Sequence, residues 1–476
     1  MKSRVGKMIS LAKRKSIDAT EGPIFSKMVA FVIPLMLTNL IQQLYTVADN
    51  MVVGKFSPDP TALGGIGSSS SVVAFLTALF AGFAVGTAAV VSHDFGKRDN
   101  EAVSKSVHTS LMLAACVGVA TCVVGFLISE PLLLLLNTKE QFLSTAVTYL
   151  RIRCIGLPFV AVYNNAAATL RSVGDSRSPL YILTASGLAN VLLNFAFVVG
   201  FGMSADGVAY ATLISQILSV VFVVWILSRR KNENYCVSFS SLKIDKNSAK
   251  RILKFAIPGT IQGSVAHIMN VFLTSSVNIF PAEVIEAKVV AGNIDTILST
   301  IIATYSHVSI TFTGQNRGAE KYDRIKKSLI CSILQAVTVA FVLGRFLLWL
   351  REPIITLFID TAKYDSDAIV HYASIIMNIM INGYIISGIT NSLAGFIKGM
   401  GYSVPPMVIS LMDMGVLRAI WIFGLFPMIQ TLEFLYLIYP VSWGMSALCY
   451  IAVAVVIWKK NKSRLKQNDT ALVKDA

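Results

Sequence analysis

The sequence predicts an all-α integral membrane protein, with twelve transmembrane helices arranged as two pseudo-symmetric six-helix lobes. Three observations predict it. Hydrophobic residues make up 54% of the 476 residues and charged residues only 14%, where an ordinary soluble protein carries about 25% charge. With a mean hydropathy of +0.66, the apolar residues fall in repeated runs of about twenty, the length that crosses roughly 30 Å of hydrocarbon. Polar loop segments of the first half also recur, in order, in the second. Lipid offers backbone groups no partner, so only helices or closed barrels cross it, and these runs are continuous rather than alternating.

Taken in order, the runs place helices at 25–54, 62–91, 102–128, 141–170, 178–200 and 205–228, then at 250–278, 285–313, 328–350, 367–396, 404–426 and 432–458. The stretch from Arg229 to about Ala249 is rich in Ser, Asn and Lys, bisects the chain and reads as a linker. The expected organisation is a tail at 1–24, an N-lobe at 25–228, a linker at 229–249, a C-lobe at 250–458 and a tail at 459–476.

The net charge of +15 sits in Lys2 to Lys27, Arg229 to Lys254, Arg317 to Lys327 and the residues after Trp458. These segments alternate with loops nearly free of basic residues, such as that around Asp365. That is the positive-inside pattern, and it places both termini in the cytoplasm of a multi-pass protein of the plasma (inner) membrane. Such a distribution speaks against nucleic acid as a partner. Cys116, Cys122, Cys154, Cys331 and Cys449 lie in apolar segments and Cys236 in a loop, none with CxxC spacing, so neither a metal site nor a disulfide framework is indicated. The first apolar run, from near Ile24, is too long and polar-studded for a cleavable leader.

The halves repeat. FVIPLM at 31–36 returns as FAIPGT at 255–260, and FGKRDNEAVSKS at 95–106 as RGAEKYDRIKKS at 317–328. EPLLLLLNT at 130–138 returns as EPIITLFIDT at 352–361, and RSVGDSRSPL at 171–180 as KGMGYSVPPM at 398–407. The offsets stay between 222 and 227 residues. Six helices per half give both halves one orientation, a parallel repeat about an axis along the membrane normal, suited to alternating access.

On the first helix Asn39, Gln42, Thr46 and Asp49 fall at i, i+3, i+7 and i+10, with Thr38 and Tyr45 beside them. A carboxylate at membrane depth must face protein or water; alternatively Asp49 is solvated, or caps, at the outer end. Asn190 and Asn194 share a face of the fifth helix. Gln262, His267 and Asn270 on the seventh helix and Asn378, Asn382 and Asn391 on the tenth extend the polar set that marks a substrate cleft. Asp295 lies well inside the eighth run, and Asp413 and Arg418 in the eleventh could compensate one another. Pro34 and Pro258, repeat-related, are candidate hinges, and Pro158 also sits within an apolar run. No GxxxxGK[ST] is present, so no ATPase domain is indicated and any energy must come from an ion gradient.

Several motifs then carry a resemblance. IPLMLTNLIQQLYTVADNMVVGKF, GQNRGAEKYDRIKKS and NVLLNFAFVVGFGMSADGVAYATLISQ at 190–216 resemble the multidrug and toxic compound extrusion (MATE) transporters, and the resemblance runs from about residue 22 to 460. It implies a two-lobed exporter, a monomer without cofactor and not an enzyme, exchanging H⁺ or Na⁺ for drug-like, mostly cationic compounds. TVADNMVVG matches the family's first-helix motif, whose aspartate binds the cation, which makes Asp49 the Na⁺ or H⁺ site. Asn194 stands where family members often carry Asp, and an amide cannot exchange a proton. Tyr149 and Thr212 look like the remaining members of that cluster, and Asp295 is a candidate coupling carboxylate of the other lobe. Ala266 occupies roughly the register where some members place a Glu.

Two other readings compete. A lipid or lipid-linked oligosaccharide flippase of the same plan would need several basic residues in its cavity, and the helices offer Arg151, Arg153, Arg345 and Arg418. A membrane enzyme would need clustered acids or histidines, but His93, His108, His267, His307 and His371 are scattered.

Overall fold

The computed structural model describes residues 16–357 and 366–474. Most of the expected N-terminal tail, the end of the second EPIITLFIDT copy and Asp365 lie outside the described residues. The described chain is helical, with no strand. Its long helices are α1 (Ile24–Phe56), α2 (Ala62–Gly96), α3 (Asn100–Leu135), α4 (Glu140–Ser172), α5 (Arg177–Gly200) and α6 (Ala205–Arg229). After a segment without long helices come α7 (Lys246–Val277), α8 (Ala282–Gly318), α9 (Tyr322–Trp349), α10 (Ser366–Gly399), α11 (Val404–Met428) and α12 (Leu432–Lys474). A short helix, Arg351–Leu357, follows α9.

Ten of these are long and apolar enough to cross a membrane. The other two, α7 and α8, are 32 and 37 residues long and fall below that apolarity because they carry Gln262, His267, Asn270, Lys288, Asn293 and Asp295. Several helices outrun the expected spans at the ends that meet basic loops. There local caps continue them beyond the apolar run: the Asp99 side chain accepts from the Ala102 N–H at 3.0 Å to start α3. The last helix likewise continues through residues expected to form a tail.

The chain divides into two compact units, residues 1–264 with 318–320, and residues 265–317 with 321–476. The internal repeat is visible in the backbone. Arg98 and Glu320, 222 residues apart, both take a left-handed conformation (φ 59° and 57°), and so do Gly174 and Gly401 (φ 89° and 93°). Non-glycine residues visit that region rarely, so equal turns at equal registers reflect the repeat and not chance.

In the first unit, residues 230–245 are docked rather than loose. Tyr235 and Val237 are buried against Val107, Leu170 and Leu227. The Arg230 guanidinium donates to Asp175 Oδ2 at 2.5 Å and to the Tyr235 hydroxyl at 2.8 Å. Burial lifts Tyr235 above the usual phenol range, and the neighbouring guanidinium works against that. Further on, the Ser238 N–H donates to His108 Nε2 at 3.1 Å and the Asp245 N–H to Thr109 Oγ1 at 3.0 Å. Tyr235→Ala removes a buried aromatic, a loss of about 3–5 kcal/mol. We expect it to lower the melting temperature in detergent and to speed tryptic cleavage at Lys243, whereas Tyr235→Phe, which keeps the packing, should leave the cleavage rate close to wild type.

Candidate functional site

In the first unit the polar stripe of α1 meets α5 and α6. Asp49 Oδ1 accepts from Asn194 Nδ2 at 2.5 Å, and Asp49 Oδ2 accepts from Thr212 Oγ1 at 3.4 Å. Asn190 Nδ2 donates to Thr212 Oγ1 at 3.5 Å, and Asn194 Nδ2 also reaches Asn190 Oδ1 at 3.4 Å. The i, i+4 spacing puts both amides on one face of α5. Directly after Asn194 the helix widens into a π-helical segment, Phe195–Gly200, a form often found at functional sites. Asn194 is 0% exposed, and its Oδ1 has no hydrogen-bond partner. A buried acceptor without a donor costs about 1–3 kcal/mol.

Tyr149 is buried in the apolar cluster of Val52, Val53, Val208 and Ala209 that adjoins these groups. The charges of Asp49 and Arg153 both act on it. Arg153 also acts on Asp49 but makes no ion pair with it, and its Nε has no hydrogen-bond partner. The structure therefore brings Asp49, Asn190, Asn194 and Thr212 into hydrogen-bond contact, with Tyr149 and Arg153 beside them. Sequence reasoning did not single out Arg153 for this site; its position four residues after Tyr149, on the same face of α4, was the available signal.

The rest of the α1 stripe is more open. Gln42 and Thr46 are exposed and Asn39 is half-buried. Tyr45 turns the other way: its hydroxyl donates to the Leu183 carbonyl at 2.5 Å, and its ring lies over Gly187, where a Cβ would come within 1.6 Å of the ring. Pro34 is buried inside α1, and its carbonyl accepts from Thr38 Oγ1 at 2.7 Å. Pro258 is buried inside α7. Gln262, half-buried, groups with the first unit.

The second unit holds its own charged cluster. Asp295 accepts a hydrogen bond from the Tyr384 hydroxyl. Arg418 is 3% exposed and lies 4.7 Å from the centre of the Tyr439 ring. Trp443 packs on both Tyr384 and Tyr439, at centroid distances of 5.0 and 5.6 Å. The charge of Arg418 acts on Asp295 without a direct ion pair. The expected Asp413–Arg418 compensation is not made. Asp413 Oδ2 accepts from Ser446 Oγ at 2.5 Å instead, so its partner comes from α12 and not from its own helix. His267 and Asn270 are exposed on α7. Asn382 is bonded to Arg345, donates to the Asn378 carbonyl at 2.7 Å, and is exposed; Asn391 donates to the Ser387 carbonyl. Asp295 thus belongs to a different cluster from Asp49, and the outlying asparagines belong to neither. Among the described residues no group of three or more His, Cys, Asp or Glu could hold a metal ion.

The sequence profile of the MatE family matches residues 34–196 and 258–423. The chain is 24% identical over 455 residues to the probable multidrug resistance protein YoeA of Bacillus subtilis, covering 92% of this chain and 95% of the relative. It is 21% identical over 447 residues to the multidrug export protein MepA of Staphylococcus aureus, covering 92% of this chain and 94% of that protein. Among solved structures, a MATE protein in complex with MaL6 superposes with a TM-score of 0.86 at 18% identity, covering 95% of this chain and all of that one (100%). A MATE protein in the straight conformation gives a TM-score of 0.85 at 18% identity, covering 94% and 99%.

The contact of Tyr45 with Gly187 yields a direct test. Gly187→Val would force the ring off α5 and break the bond to the Leu183 carbonyl, a cost of about 1–3 kcal/mol from overpacking. The melting temperature should fall, and Tyr45→Ala introduced alongside should recover part of the loss, since the collision is then relieved.

Proposed function

Since the chain belongs to the MatE family, the multidrug and toxic compound extrusion transporters, we propose that it is a secondary active exporter exchanging H⁺ or Na⁺ for organic, mostly cationic, compounds by alternating access. The observation that carries the coupling part is the environment of Asp49. Its carboxylate is met by neutral donors, Asn194 and Thr212, and no cationic side chain is paired with it. Beside it lies the buried, unpartnered Oδ1 of Asn194. A carboxylate met by an amide and a hydroxyl, groups that also carry oxygen lone pairs, suits a proton or a hard cation such as Na⁺. A fixed counter-charge would close the site, and a reversible one opens and closes it with the gradient.

Asp49, Asn190, Asn194, Thr212 and Tyr149 are the coupling residues in this reading, with Asp295 the candidate in the second unit. Asn39, Gln42 and Thr46 are the open polar flank available to substrate. The names of the relatives YoeA and MepA support multidrug export as the activity. The basic loops are assigned to the cytoplasm of a plasma-membrane protein by the Lys/Arg bias. A single cysteine at Lys243 should therefore react only with membrane-permeant reagents in intact cells, and labelling by an impermeant reagent would reverse the topology and the direction of transport.

The decisive experiment uses the purified protein in vesicles, with H⁺ and Na⁺ gradients imposed separately and a fluorescent organic cation as substrate. Asp49→Asn should insert and fold but lose gradient-driven transport, because an amide neither sheds a proton nor supplies a negative charge. Asn194→Asp should transport and shift the pH dependence, by placing a second carboxylate against the first. Transport by Asp49→Asn at the wild-type rate would move the coupling site elsewhere, with Asp295→Asn the next variant to measure.

A further inference from the structure

Helix α7 is shared between the two units: residues 246–264 group with the first and residues from 265 with the second. Its first half runs antiparallel along α2 on a track of glycines. A Cβ on Gly86 would come within 2.6 Å of the Ile252 carbonyl oxygen, and one on Gly82 within 2.4 Å of the Thr260 nitrogen. A Cβ on Gly259 would come within 2.9 Å of the Gly82 Cα, and one on Gly263 would lie 3.9 Å from the Ala78 Cβ. Thr260 Oγ1 donates to the Leu79 carbonyl at 2.9 Å, and Ile252 and Ala256 are fully buried.

Toward the end of α2 that meets the basic loop at residues 97–99, the contact becomes ionic. Arg251 Nη1 donates to Asp94 Oδ2 at 3.0 Å and Nη2 to Oδ1 at 2.5 Å, a bidentate pair. Ser106 Oγ donates to Asp94 Oδ2 at 2.9 Å, and His93 Nδ1 lies 3.2 Å from Oδ1. The partners differ in burial: the Asp94 side chain is 3% exposed and that of Arg251 is 41% exposed.

We propose that the Asp94–Arg251 pair is a latch that holds the first half of α7 on α2 and releases in each transport cycle, a role that rests on the exporter reading. Three features argue for a releasing contact over a permanent strut. A track of glycines and small residues presents no interlocking ridges, so the helices can part and re-form without side chains being dragged past one another. The half-exposed guanidinium can pass to water cheaply, while the buried carboxylate keeps its hydrogen-bond contacts with Ser106 and His93. Just before α7 changes unit, Pro258 removes a backbone hydrogen bond and gives the helix a place to bend. Asp94 and Arg251 are thus positioning residues; neither belongs to the Asp49 site.

The 3.9 Å between the two Cβ positions falls within the usual disulfide range of about 3.5–4.5 Å, so Ala78→Cys with Gly263→Cys can pin α7 to α2. The pair is introduced into protein whose six native cysteines are replaced, and transport of the fluorescent cation is measured in vesicles before and after oxidation. We expect oxidation to abolish transport and reduction to restore it; transport by the oxidised protein at the reduced protein's rate overturns the latch. In purified protein, adding Arg251→Gln should slow formation of the disulfide, because α7 spends less time docked, and Arg251→Lys should restore much of the rate. An unchanged rate with Arg251→Gln also overturns the proposal. Failure of the reduced protein to transport at all counts against the exporter reading, and the disulfide rates then still decide whether the pair holds α7.

Discussion

A carboxylate placed on a helix that crosses hydrocarbon must be given hydrogen-bond donors by neighbouring helices, and this requirement organises the polar interior of the chain. Water is not available to do it, and an uncompensated charge at that depth is expensive. Each interior carboxylate has therefore recruited its own donors from another helix. Asp49 on α1 draws on Asn194 of α5 and Thr212 of α6. Asp94, buried at the loop end of α2 and not at hydrocarbon depth, likewise draws on Ser106 of α3 and Arg251 of α7. Asp295 on α8 is met by Tyr384 of α10, and Asp413 on α11 by Ser446 of α12. These bonds set which helix faces touch, a selection that apolar packing makes weakly in lipid, where the tails are as greasy as leucine.

Packing between the helices follows the complementary rule. Where no polar bond dictates the approach, small residues allow it. Gly118 comes so near Pro158 that a Cβ would lie 2.6 Å from its Cα, and Gly125 nears the Cys154 sulfur in the same way at 2.8 Å. These contacts join α3 to α4 with backbones close together, which maximises dispersion where there is no hydrophobic drive between helices. The same device along α2 and α7 has the opposite use when it is bounded by a single ion pair, since a smooth contact is as easy to open as to close.

What could be read from the sequence depended on how local the signal was. The stripe of α1 and the Asn190/Asn194 pair are short-range periodicities; Asn194 reaches Asp49, whereas Gln42 and Thr46 of the stripe are exposed and Tyr45 turns to Leu183. The repeat was legible in polar loops, and it reappears as matched left-handed turns at Arg98 and Glu320. Long-range partners were not legible. Asp94 reads as one more polar residue at a helix end and Arg251 as one more charge in the basic stretch from Arg229 to Lys254, and 157 positions separate them. The docking of residues 230–245 was hidden by their Ser, Asn and Lys content, although Tyr235 and Val237 were the apolar exceptions that now lie in the core. Asp413 and Arg418 are near in sequence, but their partners, Ser446 and Tyr439, come from α12.

The clusters around Asp49 and Asp295 share an electrostatic plan built from different residues. In each, the carboxylate accepts hydrogen bonds from neutral groups while a guanidinium, Arg153 or Arg418, acts on it without an ion pair. In each, that arginine keeps an Nε with no hydrogen-bond partner. A direct Arg–Asp pair would be a closed unit, with little field left for a third charge, and prising it open would leave a buried charge alone. Held apart, the guanidinium lessens the penalty of an ionised carboxylate but leaves its oxygens accessible to a competing cation. In the first unit the donors are an amide and a hydroxyl, groups that reorient easily and also offer oxygen lone pairs. In the second the donor is a tyrosine held against Trp443, which offers one hydroxyl in a fixed direction. The first arrangement is the more adaptable to a small cation arriving and leaving, and it is on that difference, more than on the presence of a carboxylate, that the choice of Asp49 over Asp295 as the main coupling group rests.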